Sequence, residues 1–180
     1  MAGALASDIE RYKSHPSQGQ FIAGAKALYS HPAFAGVVWY RLSRYLWLKK
    51  RNPLFFLFLL MTRLLYPLVR LYSGLELAPS VEIGPGLWVG HFGPIVLNPA
   101  MRAGRNLTIL HGVTVGAGTG GVPILGDNVS IGVGATLIGN VQIGHNVIIG
   151  AGAVVTKNVP DDSVAVGVPA QFRPRPTEGS

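Results

Sequence analysis

The chain has 180 residues, enough for one or two domains that bury a core without covalent cross-links. It contains no cysteine, which excludes disulfides, Cys-ligated zinc, iron–sulfur clusters and an acyl-cysteine intermediate. The formal net charge is +7, yet only 13% of the residues are charged, and 24 are glycine. Such a composition raises two questions, where the charge lies and what requires the glycine.

The charge and the glycine lie in different halves of the chain. Residues 1–74 carry ten Lys and Arg against Asp8 and Glu10, a balance of +8. Residues 75–180 carry five basic and six acidic residues, a balance of −1, and hold 19 of the 24 glycines. The sequence therefore predicts two regions that meet at residue 74.

Residues 1–74 are predicted to be α-helical, because apolar residues recur there at three- and four-residue spacing. Pro32 is expected in the first turn of a helix that runs through residues 33–50. The dipeptide Asn52-Pro53 interrupts that helix, and the next is expected over residues 54–72, with a kink near Pro67.

The apolar run at residues 54–61 is shorter than the roughly 20 residues that a membrane-spanning helix needs. Two interpretations stay open. The run is either a buried helix–helix interface or part of a helix that lies in the membrane surface. In the second case the membrane contact covers residues 41–72. Five basic side chains are then expected near the phosphates of the lipids: Arg41, Arg44, Lys49, Lys50 and Arg51.

The basic half shows no nucleic-acid recognition motif, so no nucleic-acid partner is expected. The first twenty residues lack the apolar segment of a signal peptide. We therefore expect a cytoplasmic protein, with peripheral contact at the inner face of the membrane in the second interpretation.

The C-terminal half follows a six-residue repeat. Steps of six from Leu77 reach aliphatic residues or Met at 13 of 14 positions, and Gly often follows them. An inward aliphatic with a tight corner every six residues is typical of a solenoid of short parallel strands, with three hexapeptides to a coil. Fourteen blocks correspond to between four and five coils.

Four blocks carry a family resemblance, and they begin at Leu125, Ile131, Ile143 and Ile149. They resemble the hexapeptide-repeat acyltransferases, which form left-handed parallel β-helices. The resemblance covers residues 75–172 and leaves 173–180 as a tail that is expected to be disordered. Through residues 90–96 and 109–116 the chain is most similar to the serine acetyltransferase-like branch.

The repeat is interrupted between Val89 and Pro123, where charged, bulky or polar residues take the small and glycine positions. Departures of this kind mark functional positions. Residues 116–122 are predicted to leave the helix as a loop. His91 and His111 are expected in adjacent coils on one face, about 4.8 Å apart, and His145 is expected three coils below His91 on that face as a surface turn residue.

The resemblance implies that His91, in a motif matching Gly90-His91-Phe92, is the general base of an acyl transfer. It also implies a carboxylate fifteen residues earlier, which is Glu76, paired with that histidine. Glu replaces the usual Asp there. His111 is a further catalytic candidate, although it equally suits a role as a packed, hydrogen-bonded side chain.

The resemblance further implies acetyl-CoA as the acyl donor, with no metal, bound between neighbouring subunits of a homotrimer. By matching motifs, the backbone amides of Val133 and Ala151 contact the pantetheine arm. Lys157 and the loop of Thr119, Gly120 and Gly121 are the expected neighbours of the phosphates.

The acceptor is predicted from one loop in which this chain differs from the serine acetyltransferases. Serine acetyltransferases carry an Arg-His pair before a Pro in the loop that follows the Val-Thr-x-Gly motif, whereas this chain has Gly121-Val122-Pro123. The shorter loop, which lacks that carboxylate-binding pair, and the basic helical half resemble the capsule and exopolysaccharide O-acetyltransferases. This resemblance implies a sugar hydroxyl as the acceptor in surface or exopolysaccharide synthesis, on a small-molecule or lipid-linked sugar. Serine O-acetylation for cysteine biosynthesis is the alternative. A non-catalytic scaffold and a zinc-dependent carbonic anhydrase are alternatives of other classes.

Overall fold

The structure is a computed structural model that describes residues 2–13 and 20–176. Within these ranges the N-terminal region has four helices, namely α1 (Ala2–Glu10), α2 (Gln20–Ser30), α3 (Pro32–Leu48) and α4 (Pro53–Ser73). Pro32 and Pro53 each stand in the first turn, where the missing amide costs no hydrogen bond. Asn52 caps α4 by accepting a hydrogen bond from the Leu54 N–H at 3.0 Å. The predicted helix limits agree with α3 and α4 to within two residues, and α4 continues through Pro67.

Gly74 ends α4 in the left-handed conformation (φ 69°), and strand β1 begins at the next residue. The strands are β1 (Leu75–Leu77), β2 (Glu82–Ile83), β3 (Trp88–Gly90), β4 (Ile95–Leu97), β5 (Arg102–Ala103), β6 (Thr108–Leu110), β7 (Thr114–Gly116), β8 (Ile124–Leu125), β9 (Ser130–Ile131), β10 (Thr136–Ile138), β11 (Gln142–Ile143), β12 (Ile148–Ile149), β13 (Val154–Val155), β14 (Ser163–Gly167) and β15 (Ala170–Pro174).

The strands form the three faces of a parallel β-helix of about five turns, as predicted. Sheet A contains β1, β4, β7, β10 and β13; sheet B contains β2, β5, β8 and β11; sheet C contains β3, β6, β9, β12, β14 and β15. All pairings are parallel except that between β14 and β15. The core is a column of fully buried aliphatic side chains, among them Val89, Ile109, Ile131 and Ile149 on sheet C.

The strict six-residue count does not hold in the upper coils. Val89 to Leu97 is eight residues (97 − 89), whereas the equivalent step one coil below, Ile109 to Val115, is six (115 − 109). Val115 to Leu125 is ten residues, whereas Leu137 to Ile143 is six. Two residues are inserted in the first case and four in the second, so the count returns to phase after both. The interruption of the repeat between Val89 and Pro123 is therefore mainly a displacement of the six-residue register by the first insertion, which the second insertion restores.

The helical region is attached to the uppermost coil by buried polar contacts. Arg41 and Asp8 are 5% and 0% exposed and form a bidentate pair at 2.7 and 3.0 Å. Arg41 also donates to the carbonyl oxygens of Ile83 and Gly84, at 2.7 Å each. Arg41 is thus a structural residue. Its predicted place near lipid phosphates is wrong, because its guanidinium is buried and hydrogen-bonded to Asp8 and to the first coil.

The tail prediction needs a correction at its start. Arg173 and Pro174 lie in β15, where Arg173 pairs with Val164 of β14. The N–H of Arg175 donates to the Asp162 carbonyl at 2.7 Å. The hairpin therefore orders the chain beyond residue 172, and residues 177–180 lie outside the described part.

Candidate active site

His91 occupies the turn that leads from sheet C to sheet A, which we call the C–A corner. It follows β3 directly, adopts a left-handed backbone conformation (φ 63°) and has an exposed side chain. The two-residue insertion lies in this same turn, between Val89 and Leu97. The irregular backbone thus turns the imidazole out of the regular face of the β-helix.

The rings of His91 and His111 are neighbours. Their centroids are 5.8 Å apart with an interplanar angle of 87°, an edge-to-face contact. His111 is half-buried, and its Nδ1 is buried without a hydrogen-bond partner among the described residues. A Cβ on Gly93 would lie 2.7 Å from the Cβ of His111, so only glycine allows this close approach. His91 and His111 therefore lie close together, as the sequence predicts.

The C–A corner also holds both predicted amide contacts for the donor. Sheet C pairs Gly90 with Leu110, Ile109 with Ile131 and Ile131 with Ile149. Continued by the residues after those strands, this register places four residues at equivalent positions in successive coils, about 4.8 Å apart: His91, His111, Val133 and Ala151. We call this set the C–A column.

Hydrogen bonds between coils join the three lower members of the column, whereas the N–H of Gly112 donates to the Pro94 carbonyl at 2.8 Å and not to His91. The N–H of Gly134 donates to the His111 carbonyl at 3.0 Å, and that of Gly152 to the Val133 carbonyl at 2.8 Å. Within the described residues, the amides of Val133 and Ala151 donate no backbone hydrogen bond. Two unused donors therefore lie below the histidine pair, on the same corner.

Glu76 does not contact His91. It lies in β1 of sheet A, its register partner in the coil below is Val96, and its carboxylate pairs with Arg70 at 2.8 Å. Among the described residues, no carboxylate lies within 4.0 Å of the His91 ring nitrogens. The pairing that the resemblance implies is therefore absent from this structure, in which the register sets Glu76 beside Val96, five residues beyond His91 (96 − 91).

A hollow of about 240 Å³ lies between the Arg70–Glu76 pair and the turn that carries His91. Its lining includes Phe92 and Pro94 from that turn and Val96 from sheet A. Arg70 and Glu76 are 57% and 42% exposed, so both charges are accessible. On the other side of Glu76, the N–H of Leu77 donates to the Tyr66 hydroxyl at 3.2 Å, and burial raises the pKa of that phenol.

The remaining donor candidates lie on the next corner, between sheets A and B. The loop turns through Thr119 and Gly120 and is closed by mutual backbone hydrogen bonds of 3.0 and 3.3 Å between Gly118 and Gly121. Lys157 is exposed and follows β13, which lies two strands from the loop's own strand β7 in sheet A. Sheet A separates these residues from the C–A column.

His145 belongs to neither of these corners. Its Nδ1 accepts a hydrogen bond from the Asp127 N–H at 3.0 Å, and its own N–H donates to Asp161 at 2.7 Å. It follows β11 of sheet B, so the expected position on the face of His91 is wrong. The two insertions together add six residues between His91 and His145. Six residues make one strand and one corner, so His145 lies one corner before the position that the uninterrupted count predicts.

Sequence reasoning missed a ladder of amide side chains beside His145. Asn106 donates to Asn128 at 2.9 Å, Asn128 to Asn146 at 2.8 Å, and Asn146 to Asp162 at 2.9 Å. All four residues have positive φ, which Asn and Asp tolerate. The three asparagines recur two residues after a glycine, which was the available signal, and the ladder indicates a structural role.

The model of the bacterial transferase hexapeptide family (six repeats) matches residues 123–157. A serine acetyltransferase from Mycobacterium tuberculosis is 34% identical over 176 residues, which cover 95% of this chain and 71% of that protein. The chain belongs to the serine acetyltransferase family.

Two further members of the serine acetyltransferase family show how far the similarity extends. The Synechococcus elongatus enzyme is 37% identical over 153 residues, 82% of this chain and 59% of that protein. The crystal structure of Brucella abortus serine acetyltransferase in complex with coenzyme A superposes with a TM-score of 0.79 at 27% identity, over 98% of this chain and 68% of that one. The chain thus spans about three fifths of the Synechococcus relative.

The family assignment confirms the predicted branch and the left-handed β-helix. It overturns the sugar acceptor in exopolysaccharide synthesis, because the relatives at 34 to 44% identity are serine acetyltransferases. Within the described ranges, no group of three His, Asp or Glu side chains is placed to hold a metal ion.

Proposed function

We propose that this chain transfers an acetyl group from acetyl-CoA to the hydroxyl of serine. Membership of the serine acetyltransferase family supports the reaction and both substrates. The observation that carries the proposal is the C–A column, in which an exposed histidine in contact with a second histidine stands above two unused backbone amides.

In the proposed reaction His91 removes the proton of the serine hydroxyl as its oxygen attacks the thioester carbonyl. The new C–O bond forms, the C–S bond breaks, and the proton passes from His91 to the departing thiolate of CoA. General base catalysis of this kind contributes about 10²- to 10⁴-fold. His111 packs against the edge of the His91 ring and fixes its orientation.

The donor is proposed to lie along the C–A column. The amides of Val133 and Ala151 donate hydrogen bonds to carbonyl oxygens of the pantetheine arm. This arm is uncharged, so its binding requires hydrogen-bond donors and no charged side chain. Lys157 and residues Thr119, Gly120 and Gly121 take the phosphates across sheet A. An exposed corner provides only one wall for such a ligand, which supports a homotrimer whose neighbouring subunit supplies the other.

The acceptor is proposed to occupy the hollow beside His91. Serine is a zwitterion, and the hollow is bordered by two accessible charges of opposite sign. The Arg70 guanidinium suits the carboxylate by a charge-assisted hydrogen bond, and Glu76 suits the ammonium group. This pair would take the place of the loop Arg-His pair. Use of acetyl-CoA is consistent with a cytoplasmic enzyme.

Release of the CoA thiol in the presence of L-serine tests the proposal. His91→Asn should lower kcat by at least about 100-fold, while the matched control His145→Asn should retain the wild-type rate. Arg70→Gln should raise KM for serine with a smaller effect on kcat. Equal activity of the His91→Asn and His145→Asn variants would show that His91 is not the base.

A further inference from the structure

Helix α4 exposes a continuous apolar face that neither the fold nor the proposed reaction uses. Its buried side packs toward α3 and β1 through residues at alternating four- and three-residue spacing, including Leu59, Thr62 and Ser73. The opposite side has its own regular series, which we call the outward face: Leu54, Leu57, Met61, Leu64, Leu68 and Leu71. These six side chains are 48 to 78% exposed.

The exposed apolar surface is too large for a helix in water. On α4, eleven large apolar side chains are at least 45% exposed, which corresponds to roughly 1,000 Å². Patches on soluble monomers rarely exceed about 300 to 600 Å², and larger ones mark protein or membrane interaction sites. Among the described residues, α4 is also the helix whose length and composition would allow it to cross a membrane.

The charge around α4 decides between candidate partners. No acidic residue occurs from residue 11 to residue 75, a segment that contains ten Lys and Arg. Lys49, Lys50 and Arg51 are exposed directly before α4, and the Lys50 ammonium lies 4.3 Å from the centroid of the Trp47 ring. A second copy would oppose this positive charge with its own, whereas an anionic bilayer complements it.

We propose that the outward face of α4 lies in the interface of an anionic lipid bilayer, with Lys49, Lys50 and Arg51 at the phosphates. The helix lies in the plane of the membrane, because its other side is packed against α3 and Tyr66 is hydrogen-bonded to β1 at 3.2 Å. The contact is narrower than residues 41–72. Arg41 is buried, and Arg44 donates to three carbonyls of residues 79–81.

Co-sedimentation of the full chain with vesicles tests this surface without measuring acetyl transfer, so it is independent of the proposed function. The wild type should bind vesicles of equal parts phosphatidylglycerol and phosphatidylcholine and bind phosphatidylcholine alone at least about tenfold more weakly. Charge removal in a Lys49→Gln, Lys50→Gln, Arg51→Gln variant should weaken partitioning about 100-fold, since each basic residue near an anionic surface contributes about fivefold.

A double variant on the outward face, Leu64→Gln with Leu68→Gln, should lose at least about tenfold in partitioning. The matched control is Ile124→Gln with Ile138→Gln, two apolar side chains on the β-helix that are 38 and 39% exposed, and it should bind as the wild type does. Unchanged circular dichroism shows that each variant folds. Sedimentation velocity distinguishes the self-association outcome. If the outward-face variant lowers the oligomeric mass while the wild type binds no vesicles, the face is an interface between copies and the proposal is wrong.

Discussion

Replacement of Arg41 by Ala should detach the helical region from the β-helix. The guanidinium donates four hydrogen bonds of 2.7 to 3.0 Å, two to the Asp8 carboxylate and two to backbone carbonyls of the first coil. Asp8 also accepts from the amides of Gly86 and Leu87, at 2.9 and 2.8 Å. The pair thus bonds α1 and α3 to one another and to the turn before β3.

The expected cost follows from burial. Asp8 is 0% and Arg41 5% exposed, so Arg41→Ala leaves a buried carboxylate without its counter-charge, which costs about 3 to 5 kcal/mol. For a chain of this size each kcal/mol lowers the Tm by about 2 to 4 °C, which gives a fall of about 6 to 20 °C. Urea denaturation followed by circular dichroism measures the change in the free energy of unfolding.

The control is the ion pair of Glu10 with Lys13, in which the Glu10 side chain is 54% exposed. Glu10→Ala should change stability by less than about 1 kcal/mol. The double variant Asp8→Leu with Arg41→Met should be more stable than the sum of its single variants predicts, because no charge is left unpaired. If Arg41→Ala costs no more than Glu10→Ala, the pair does not anchor the helices.

Three further outcomes are expected. Tyr12→Phe should lower the free energy of unfolding by about 1 to 3 kcal/mol, because the hydroxyl both donates to and accepts from one backbone position on β3, at 3.0 and 2.8 Å. Burial raises the pKa of Tyr12 and of Tyr40 above the unfolded value of about 10, so the contribution of these two phenols to stability should be constant below about pH 10 and be lost above it. The fall in stability above about pH 10 should be shallower in Tyr12→Phe, and a flat profile from about pH 10 to pH 11 in urea titrations would contradict this. Gly93→Ala should lower kcat for thiol release by roughly 10- to 100-fold by displacing His111, whereas Gly116→Ala, with its nearest contact at 3.9 Å, should not.

The β-helix could be predicted because its signal is repeated. Each coil repeats the same inward aliphatic and the same corner, so an error in one block is corrected by the next. The loop at residues 116–122 could be predicted, but the two-residue insertion at the His91 turn could not, since Ile95 and Leu97 are both buried. A six-residue count therefore finds aliphatic residues in either phase.

The same property explains which parts of the site could be predicted. His91, His111, Val133 and Ala151 follow strands of one sheet, so each matched motif places its residue correctly on the corner. The position predicted for His145 is wrong because it rests on a six-residue count across both insertions, whereas the pairing of Glu76 with His91 rests on the family resemblance alone. The Asp8–Arg41 pair joins residues 33 positions apart in separate helices, a contact that no local pattern encodes.

The identity of the acetylated product tests the central claim most directly. The full chain, acetyl-CoA and L-serine should give O-acetylserine and one equivalent of CoA by mass spectrometry, and His91→Asn should give at least about 100-fold less. Serine-independent release of CoA, or undiminished O-acetylserine from His91→Asn, would contradict the account.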